Sequence, residues 1–466
     1  ENIGDELWAY IPQTMMPHLK WLPSTDYTHV YYVDLKPKVF DAKIVDRDGD
    51  GTVDWSTILL CGFNLGGQHI WAEGDFDGDG SSDGTRNFYP SYVCMDVTDP
   101  RNPRLLWDRS YTGLQLTMSV PAVVKVKNKW FAVFGSGARD CDATSSQKGN
   151  IYVVDLATGT PYRSGTDDWL FQTAESEAFI NTPVSIDKTL NFNVDAIYYG
   201  VTYDNSAWKG KLYKIAVPWL DAVGNYDGVD PDNYVDNPLL WKHAPFFNAT
   251  RPITAPAALS VDLHGNCWVF VGSGRYLNNA DKSNSDEQYM FGIKDPFYNG
   301  EHTPKGSYQD NFYHNYDISL ELDINDLFVS DPYVIIEGGA VYVGNTFKGK
   351  FDEYLIPLAQ GYDGWRRSLL IPKERILTKF TVLGGIVLSS SFVPTADICE
   401  SGGDSYLYGQ YYETGTAYYR KVFKEGFSDY NGMIQILDKV SLGEGKVAAV
   451  GIHMGAEGPM GFVQQS

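Results

Sequence analysis

The sequence predicts an all-β protein, folded as a β-propeller of about seven blades with loop insertions. Three observations predict it. Helical periodicity is scarce: most of the chain reads as brief runs of alternating apolar and polar residues bounded by Gly, Pro, Asn and Asp. With 46 Gly and 32 Tyr among 466 residues, the composition favours turns and pleated, half-buried surfaces. One order of strands also recurs along the chain.

The recurring unit begins with a Pro-led strand. A Trp- or Tyr-bearing strand ending in small residues follows, and then a strand with a central Tyr. "SVPAVVKV" (119–126) leads to "KWFAVFGSGARD" (129–140) and "GNIYVVDLATGTPY" (149–162). "NTPVSID" (181–187) leads to "DAIYYGVTYD" (195–204) and "GKLYKIAVP" (210–218). "ITAPAALSVD" (253–262) leads to "CWVFVGSGRYL" (267–277) and "QYMFGIKDP" (288–296). A unit of roughly 60–70 residues with three or four short strands cannot bury both faces alone, but such units stacked radially protect each other's edges. The chain length then supplies about six to eight blades, the last closed by strands from both termini. A β-sandwich pair fits the long repeat spacing less well.

The whole chain, 1–466, reads as one propeller domain, since a single core of this length requires an all-β or repeat fold. Segments 219–250 and 297–335, rich in Asn, Asp, Tyr and Pro, read as insertions on one rim. "GDELWAYIPQTMMPHLKWL" (4–22) is the best candidate for a short helix, and "IPKERIL" (371–377) is too short to matter.

A net charge of −22 argues against nucleic acid, because phosphate contacts need clustered Lys and Arg. It suits a secreted protein that meets calcium outside the cytosol. No run of about 18 apolar residues marks a membrane span. The chain starts at Glu1 with neither Met nor a signal sequence, which reads as a processed protein or a fragment. Five cysteines are scattered: Cys61, Cys94, Cys141, Cys267 and Cys399. Cys61 and Cys94 lie in strand-like runs that could be neighbours. A disulfide and buried free thiols are both open, and the compartment is not settled by cysteine.

The sharpest local signal is a ladder of aspartates that occurs twice, "DRDGDGTVD" (46–54) and "DFDGDGSSD" (75–83). Positions 1, 3, 5 and 9 are Asp46, Asp48, Asp50 and Asp54, then Asp75, Asp77, Asp79 and Asp83. Carboxylates this close repel one another, so a bound cation is the missing partner. Gly51 or Gly80 at position 6 permits the sharp turn, and Thr52 or Ser81 at position 7 offers its backbone carbonyl. Hard oxygen ligands in this number suit Ca²⁺ better than Mg²⁺, which keeps its water, so two calcium ions are expected in region 46–83. These are not full EF-hands. Position 12 is Thr57 or Arg86, so the bidentate Glu is missing. Affinities of about 10⁻⁴–10⁻³ M are typical of such extracellular loops.

Catalytic motifs are not found: there is no GxSxG, HExxH or CxxC. "GNTFKGKF" (344–351) has phosphate-loop spacing but lies in strand-like sequence and has Phe351 where the Mg²⁺ ligand belongs, so it is set aside. The eight histidines are scattered, and lone ones such as His264 and His453 read as surface or core residues. Arg139 and Arg275, each after a "GSG" strand end, read as packing residues. "VDLATGTPY" resembles the docking motif of quinoprotein dehydrogenase propellers, which also use calcium. Those enzymes carry adjacent cysteines at the cofactor and a Trp closing each blade motif. Here no Cys-Cys pair exists and Tyr162 stands at the Trp position, so shared blade architecture is the better reading.

Taken together, the landmarks resemble the C-terminal propeller domain of the PilY family, the tip-associated adhesins and assembly factors of bacterial type IV pili. The resemblance runs from "GDELWAYIP" and "PHLKWL" through "HVYYVDLKPKVFDAKI", "MDVTDPRNPRLLW", "GNIYVVDLATG", "WVFVGSGRYL" and "QYMFGIKD". It continues to "LTKFTVLGGIVLSSSFVPTADICESGGDSYLYGQYYETG" and the closing "GFVQQS". It implies a non-enzymatic, exported protein at the pilus tip or cell surface. There it would act with minor pilins to favour extension over retraction, support twitching motility and attach to host or abiotic surfaces. A calcium-dependent quinoprotein dehydrogenase and a secreted carbohydrate-binding adhesin without a pilus role are the alternatives. The family's long N-terminal region, often with a von Willebrand A-like part, is not read here, so adhesive functions located there are not assigned to this chain. The family's regulatory Asp loop corresponds to "DKTLNFNVD" (187–195). There Thr189 and Asn191 replace carboxylates and Phe192 replaces the turn glycine, so half the charge is gone, the turn is expected to be blocked, and little or no calcium is expected.

Overall fold

The most buried strands form where apolar residues run on unbroken, as in "WFAVF", "IYVV" and "WVFV". The computed structural model describes residues 4–26, 29–218, 234–297, 320–395, 402–424, 427–455 and 458–464. Among them, six sheets of four to six strands and two separate hairpins are found. Five of the sheets follow one another along the chain as blades. Blade 1 pairs Lys38–Val45, Asp54–Cys61, Tyr92–Asp96 and Arg104–Arg109 in that order. Blade 2 pairs Ala122–Val126, Lys129–Gly135, Asn150–Asp155 and Phe171–Gln172. In blade 3, Val184–Ile186 and Phe179–Ile180 share one side of Ala196–Tyr203. Lys209–Ala216 and Lys242–Asn248 follow, with Leu322–Asp323 parallel at the edge.

Blade 4 is Ala258–Val261, Cys267–Gly272, Gln288–Lys294 and Gly364–Leu369, with Phe328–Val329 parallel at its edge. Blade 5 sets Thr381–Leu383 and Arg375–Ile376 beside Ile386–Pro394, then Gly403–Tyr411 and Lys439–Glu444. The sixth sheet is assembled from two separate stretches. Tyr333–Ile336, Ala340–Val343 and Thr346–Lys350 lie within the blade 4 sequence, and Phe427–Tyr430 and Met433–Ile436 within that of blade 5.

The inner strands of blades 2 to 4 are buried on both faces, and their period of two divides the side chains between neighbouring blades. In blade 2, Ala132 and Phe134 pack with Leu60, Tyr92 and Cys94 of blade 1. Phe131 and Val133, from the same strand, pack with Ile197, Tyr199 and Val201 of blade 3. Tyr198 turns the other way, toward Val269 and Phe291 of blade 4. Trp268 and Phe270 pack in turn with Val387 and Tyr408 of blade 5. Lys38 of blade 1 lies within electrostatic reach of Lys379 beside blade 5. Burial first, and then that like charge, hold its ammonium below the usual lysine range.

Two tryptophan contacts lock blades together. The Trp107 indole of blade 1 donates to Leu156 O of blade 2 at 2.9 Å. Gly159 lies so close against that ring that a Cβ there would stand 2.7 Å from it. Trp365 of blade 4 repeats the contact on blade 5, donating to Tyr412 O at 2.6 Å. A Cβ on Gly415 would come within 2.3 Å of it. Both glycines have positive φ, 65° and 64°. The "DLATG" and "YETG" turns are therefore the same docking device, and the tryptophan it needs comes from the preceding blade rather than from position 162.

Several sequence expectations change in detail. Within 219–250, residues 219–233 lie outside the described residues, and Lys242–Asn248 is a blade strand rather than a rim insertion. Within 297–335, residues 298–319 lie outside them. The remainder supplies two short edge strands and enters the sixth sheet. The 4–22 segment holds a 3₁₀ helix, Gln13–Trp21, containing Pro17. Cys61 and Cys94 do sit on adjacent strands, but Cys61 pairs with Val93 and Cys94 with Leu60. That one-residue offset points the two thiols to opposite faces, and both are free. Cys399 lies outside the described residues. Arg275 is a packing residue: it pairs with Asp281 at 2.5 Å and stacks 3.7 Å from the Trp208 ring centroid. Arg139 is exposed and pairs only locally, with Asp140.

Two substitutions test this packing. Gly415→Ala is expected to cost about 1–3 kcal/mol from overpacking against Trp365, with added backbone strain, read as a lowered denaturation midpoint. Lys214 and Asp295 form a fully buried pair at 2.6 Å between blades 3 and 4. Lys214→Met strands the carboxylate and is expected to cost roughly 3–5 kcal/mol by the same measurement.

Candidate metal centre

The first aspartate ladder is the turn joining the first two strands of blade 1, between Val45 and Asp54. The second caps the separate hairpin Ile70–Glu73 and Thr85–Phe88, inserted in the same blade. Both loops fold by one plan, with carboxylates accepting from backbone N–H groups. The Asp46 carboxylate accepts from Gly49 N at 2.7 Å and Gly51 N at 3.1 Å. Asp54 reaches back to accept from Arg47 N at 3.0 Å. In the second loop Asp75 accepts from Gly78 N at 2.6 Å and Gly80 N at 2.8 Å, and Asp83 from Phe76 N at 2.7 Å. Gly49 and Gly51 have φ of 80° and 87°, Gly78 and Gly80 of 82° and 89°. Open space surrounds all four, so glycine serves the left-handed conformation here and not a close approach.

This folding gathers carboxylate oxygens. Asp46, Asp48 and Asp50 each bring one within 4.8 Å of the others, as do Asp75, Asp77 and Asp83. Among the described residues these are the two groups of acidic, His or Cys side chains so gathered. Asp54 and Asp79 stay outside the triads. Asp79 is occupied by Ser81, whose N–H and hydroxyl donate at 2.8 Å and 2.5 Å. Thr52 does the same to Asp50, at 2.7 Å and 2.5 Å. Thr52 and Ser81 thus act through N–H and hydroxyl, a role their position in the ladder did not announce.

The same hydrogen bonds tune the carboxylates. The Thr52 hydroxyl and then its N–H hold the Asp50 carboxyl below the usual range. The Ser81 hydroxyl and N–H do so for Asp79, and the Gly80 and Gly78 N–H groups for Asp75. Three of the eight ladder carboxyls are thus shifted toward the anionic form by the fold of their own loops. Exposed oxygen ligands, three to a triad with further carboxylates beside them, suit a hard divalent cation that retains some water.

The loop at 187–195 is the hairpin turn joining Val184–Ile186 to Ala196–Tyr203 in blade 3, as the first ladder joins two paired strands in blade 1. Its turn is made, not blocked. Asp187 accepts from Asn191 N at 3.1 Å and from Phe192 N at 2.6 Å, and Asp195 accepts from Lys188 N at 2.5 Å. Leu190 and Phe192 adopt φ of 57° and 66° in the places of the two glycines. Such conformations cost about 1–3 kcal/mol each unless the surroundings impose them. Tyr234, some forty residues on, inserts its hydroxyl into this loop and donates to Asp195. No spacing rule in the sequence could have linked it to the loop.

Elsewhere, His18, His29, His69 and Cys141 line a cavity of about 590 Å³, without the convergence seen in the acidic loops. Thr346–Lys350, within the phosphate-loop-like spacing, is an antiparallel strand. Thr52→Val is expected to raise the Asp50 pKa toward the ordinary carboxylate value in calcium-free protein, read by NMR titration. An unmoved pKa would remove the hydroxyl from the account.

No family profile matches the chain. It is 24% identical over 425 residues to a type IV pilus biogenesis factor PilY1 homolog of Xylella fastidiosa, covering 87% of this chain and 27% of that protein. It is 24% identical over 484 residues to type IV pilus biogenesis factor PilY1 of Pseudomonas aeruginosa, covering 92% of this chain and 36% of that one. The chain thus spans about a quarter to a third of the length of these relatives. The crystal structure of the P. aeruginosa PilY1 C-terminal domain superposes with a TM-score of 0.63 at 17% identity, over 99% of this chain and 88% of that one. In sequence the chain is therefore similar to the PilY1-type pilus biogenesis factors, and its fold is that of the PilY1 C-terminal domain, a β-propeller.

Proposed function

We propose that the chain is the non-enzymatic, calcium-binding propeller of a type IV pilus tip protein. In this reading it supports pilus assembly and extension against retraction, works with minor pilins, and contributes to attachment at host or abiotic surfaces. The relatives' names carry the pilus part. The single observation that carries the calcium part is the pair of preorganised triads, Asp46, Asp48 and Asp50 with Asp75, Asp77 and Asp83. Carboxylates gathered this closely repel one another until a cation joins them. Asp54 and Asp79 stand within the same loops, so each offers at least four carboxylates in all.

The proposed location is outside the cell, at the pilus tip or surface, after export. No helix of the described residues is long and apolar enough to cross a membrane. The docking turn shared with quinoprotein propellers is explained by the Trp107–Gly159 and Trp365–Gly415 contacts, which are packing contacts between blades. Bound quinone absorbance, or dye-linked dehydrogenase activity in purified protein, would overturn the non-enzymatic reading. Failure to co-purify with minor pilins would favour a free carbohydrate-binding adhesin.

Calorimetry tests the metal directly. Asp50→Ala and Asp77→Ala, one in each triad, are each expected to remove about one bound calcium per chain at millimolar calcium. Unchanged stoichiometry in both variants would refute the assignment. Chelation is expected to loosen the loops 46–54 and 75–83 while the propeller melts nearly where it did before, because both exposed loops lie outside the blade cores. Global melting at the same chelator concentration would contradict that.

A further inference from the structure

The loop 187–195 shares its backbone plan with the two ladders but differs at its centre. Positions 1 and 9, Asp187 and Asp195, keep the carboxylates that clamp the backbone N–H groups. Positions 3 and 5 are Thr189 and Asn191. Both face the Tyr234 hydroxyl, Thr189 Oγ1 at 3.2 Å and the donating Asn191 Nδ2 at 3.4 Å. That hydroxyl donates to Asp195 Oδ1. The residues at positions 3, 5 and 9 of a ladder thus converge on one oxygen supplied by the protein itself.

We propose that the Tyr234 hydroxyl takes the cation's place in this loop, pinning it in the shape of a filled calcium loop without metal. Resting on the reading that the ladders bind calcium, the chain's calcium response is then confined to blade 1. The chemistry of the substituted positions follows from this. A cation at the centre favours several carboxylate oxygens around it, completed by neutral oxygens. A hydroxyl demands one strong acceptor, and Asp195 supplies it. Its remaining neighbours must be donors or neutral, as Thr189 and Asn191 are.

Burial supports the same arrangement. The Tyr234 side chain is 1% exposed and packs with Val194, Val217 and Trp241, so the ring is anchored in the core between blades 2 and 3. Asp195 is itself buried, at 1% exposure. The strained backbone supplies a further observation. Leu190 and Phe192 hold left-handed conformations while 84% and 81% exposed, so their own packing cannot impose them. Among the described residues, hydrogen bonds within the loop, from Tyr234 beneath it and from blade 2 at Lys127 N and Lys125 O hold it in place.

Hydrogen exchange on the full chain, with saturating calcium and again with chelator, tests this. Amides 188–192 are expected to keep their protection within about twofold when calcium is removed, while amides 47–51 and 76–80 lose about tenfold or more. Tyr234→Phe is expected to lower protection at 188–192 about tenfold in both conditions, with the blade 4 strand Cys267–Gly272 unchanged as a fold control. If that control also moves, Thr189→Val serves instead, with a loss of a few fold confined to the loop. Chelator-sensitive protection at 188–192 in the unaltered chain would overturn the proposal. So would protection there that survives whichever substitution leaves the fold control intact. If instead the two ladders ignore chelator while Tyr234→Phe loosens its own loop, the calcium reading of blade 1 falls and the hydroxyl pin stands.

Discussion

A sheet of four short strands with apolar residues on both faces has no stable existence in water, and the architecture follows from that constraint. Each blade leaves the Ala132 side of a strand to one neighbour and the Phe131 side to the other. Cores that alternate in this way are shared property, so a blade is stable only between its neighbours. The interfaces therefore need contacts of fixed geometry. Trp107 over Gly159 and Trp365 over Gly415 supply them, because only a residue without Cβ lets the indole reach the backbone carbonyl beyond. The buried Lys214–Asp295 pair works differently. Its charges attract strongly, but the cost of desolvating both is of similar size, so it specifies the alignment of blades 3 and 4 more than it adds stability.

With the core committed to packing, turns between strands are free to carry chemistry, and three of them share one backbone design. In each, the first carboxylate accepts two N–H groups, and the ninth accepts from the start of the loop, one N–H in the ladders and two in blade 3. What differs is the centre: four carboxylates where a cation is proposed, and a tyrosine hydroxyl with Thr189, Asn191 and Asp195 in blade 3. The glycines differ for the same reason. A loop that must form around an ion that comes and goes benefits from residues to which φ near 80° costs little. A permanently pinned loop tolerates Leu190 and Phe192 in that region because its bonds are always present.

Much of this was legible in the chain. The unbroken apolar runs in "KWFAVFG" and "CWVFVG" predict strands that bury both faces, and the recurrence of such units predicts a radial stack. The Asp ladders predict the loops, since spacing alone decides which carboxylates meet. What escaped depended on contacts between residues distant in sequence. Tyr234 reaches Asp195 across 39 positions. The sixth sheet joins residues near 335 to residues near 435. Lys242–Asn248 was hidden by the Asn- and Pro-rich sequence around it. The pairing of Cys61 and Cys94 stayed open because neighbouring strands were legible and their register was not; a shift of one residue reverses which face a side chain occupies. Phe192 was misjudged because a side chain at positive φ is costly alone, and the clamp that meets the cost is visible only in three dimensions.

The two ladders do not stand alike toward the rest of the molecule. The first closes a turn between two strands already paired over most of their length, from Lys38 with Leu60 to Lys43 with Trp55. Filling it adds little order to what the blade has fixed. The second caps a two-stranded hairpin, and such a hairpin is marginal by itself in water. That hairpin is braced by the Phe76 and Phe88 rings, 5.7 Å apart, with the Arg86 guanidinium over both. It also packs against the 3₁₀ helix Gln13–Trp21. A cation that stiffens the second loop therefore acts on an element whose order is open to change, and through it on the N-terminal segment. Where one design is used twice in a single blade, the support beneath each copy separates a staple from a lever, and by that criterion the lever is the loop at 75–83.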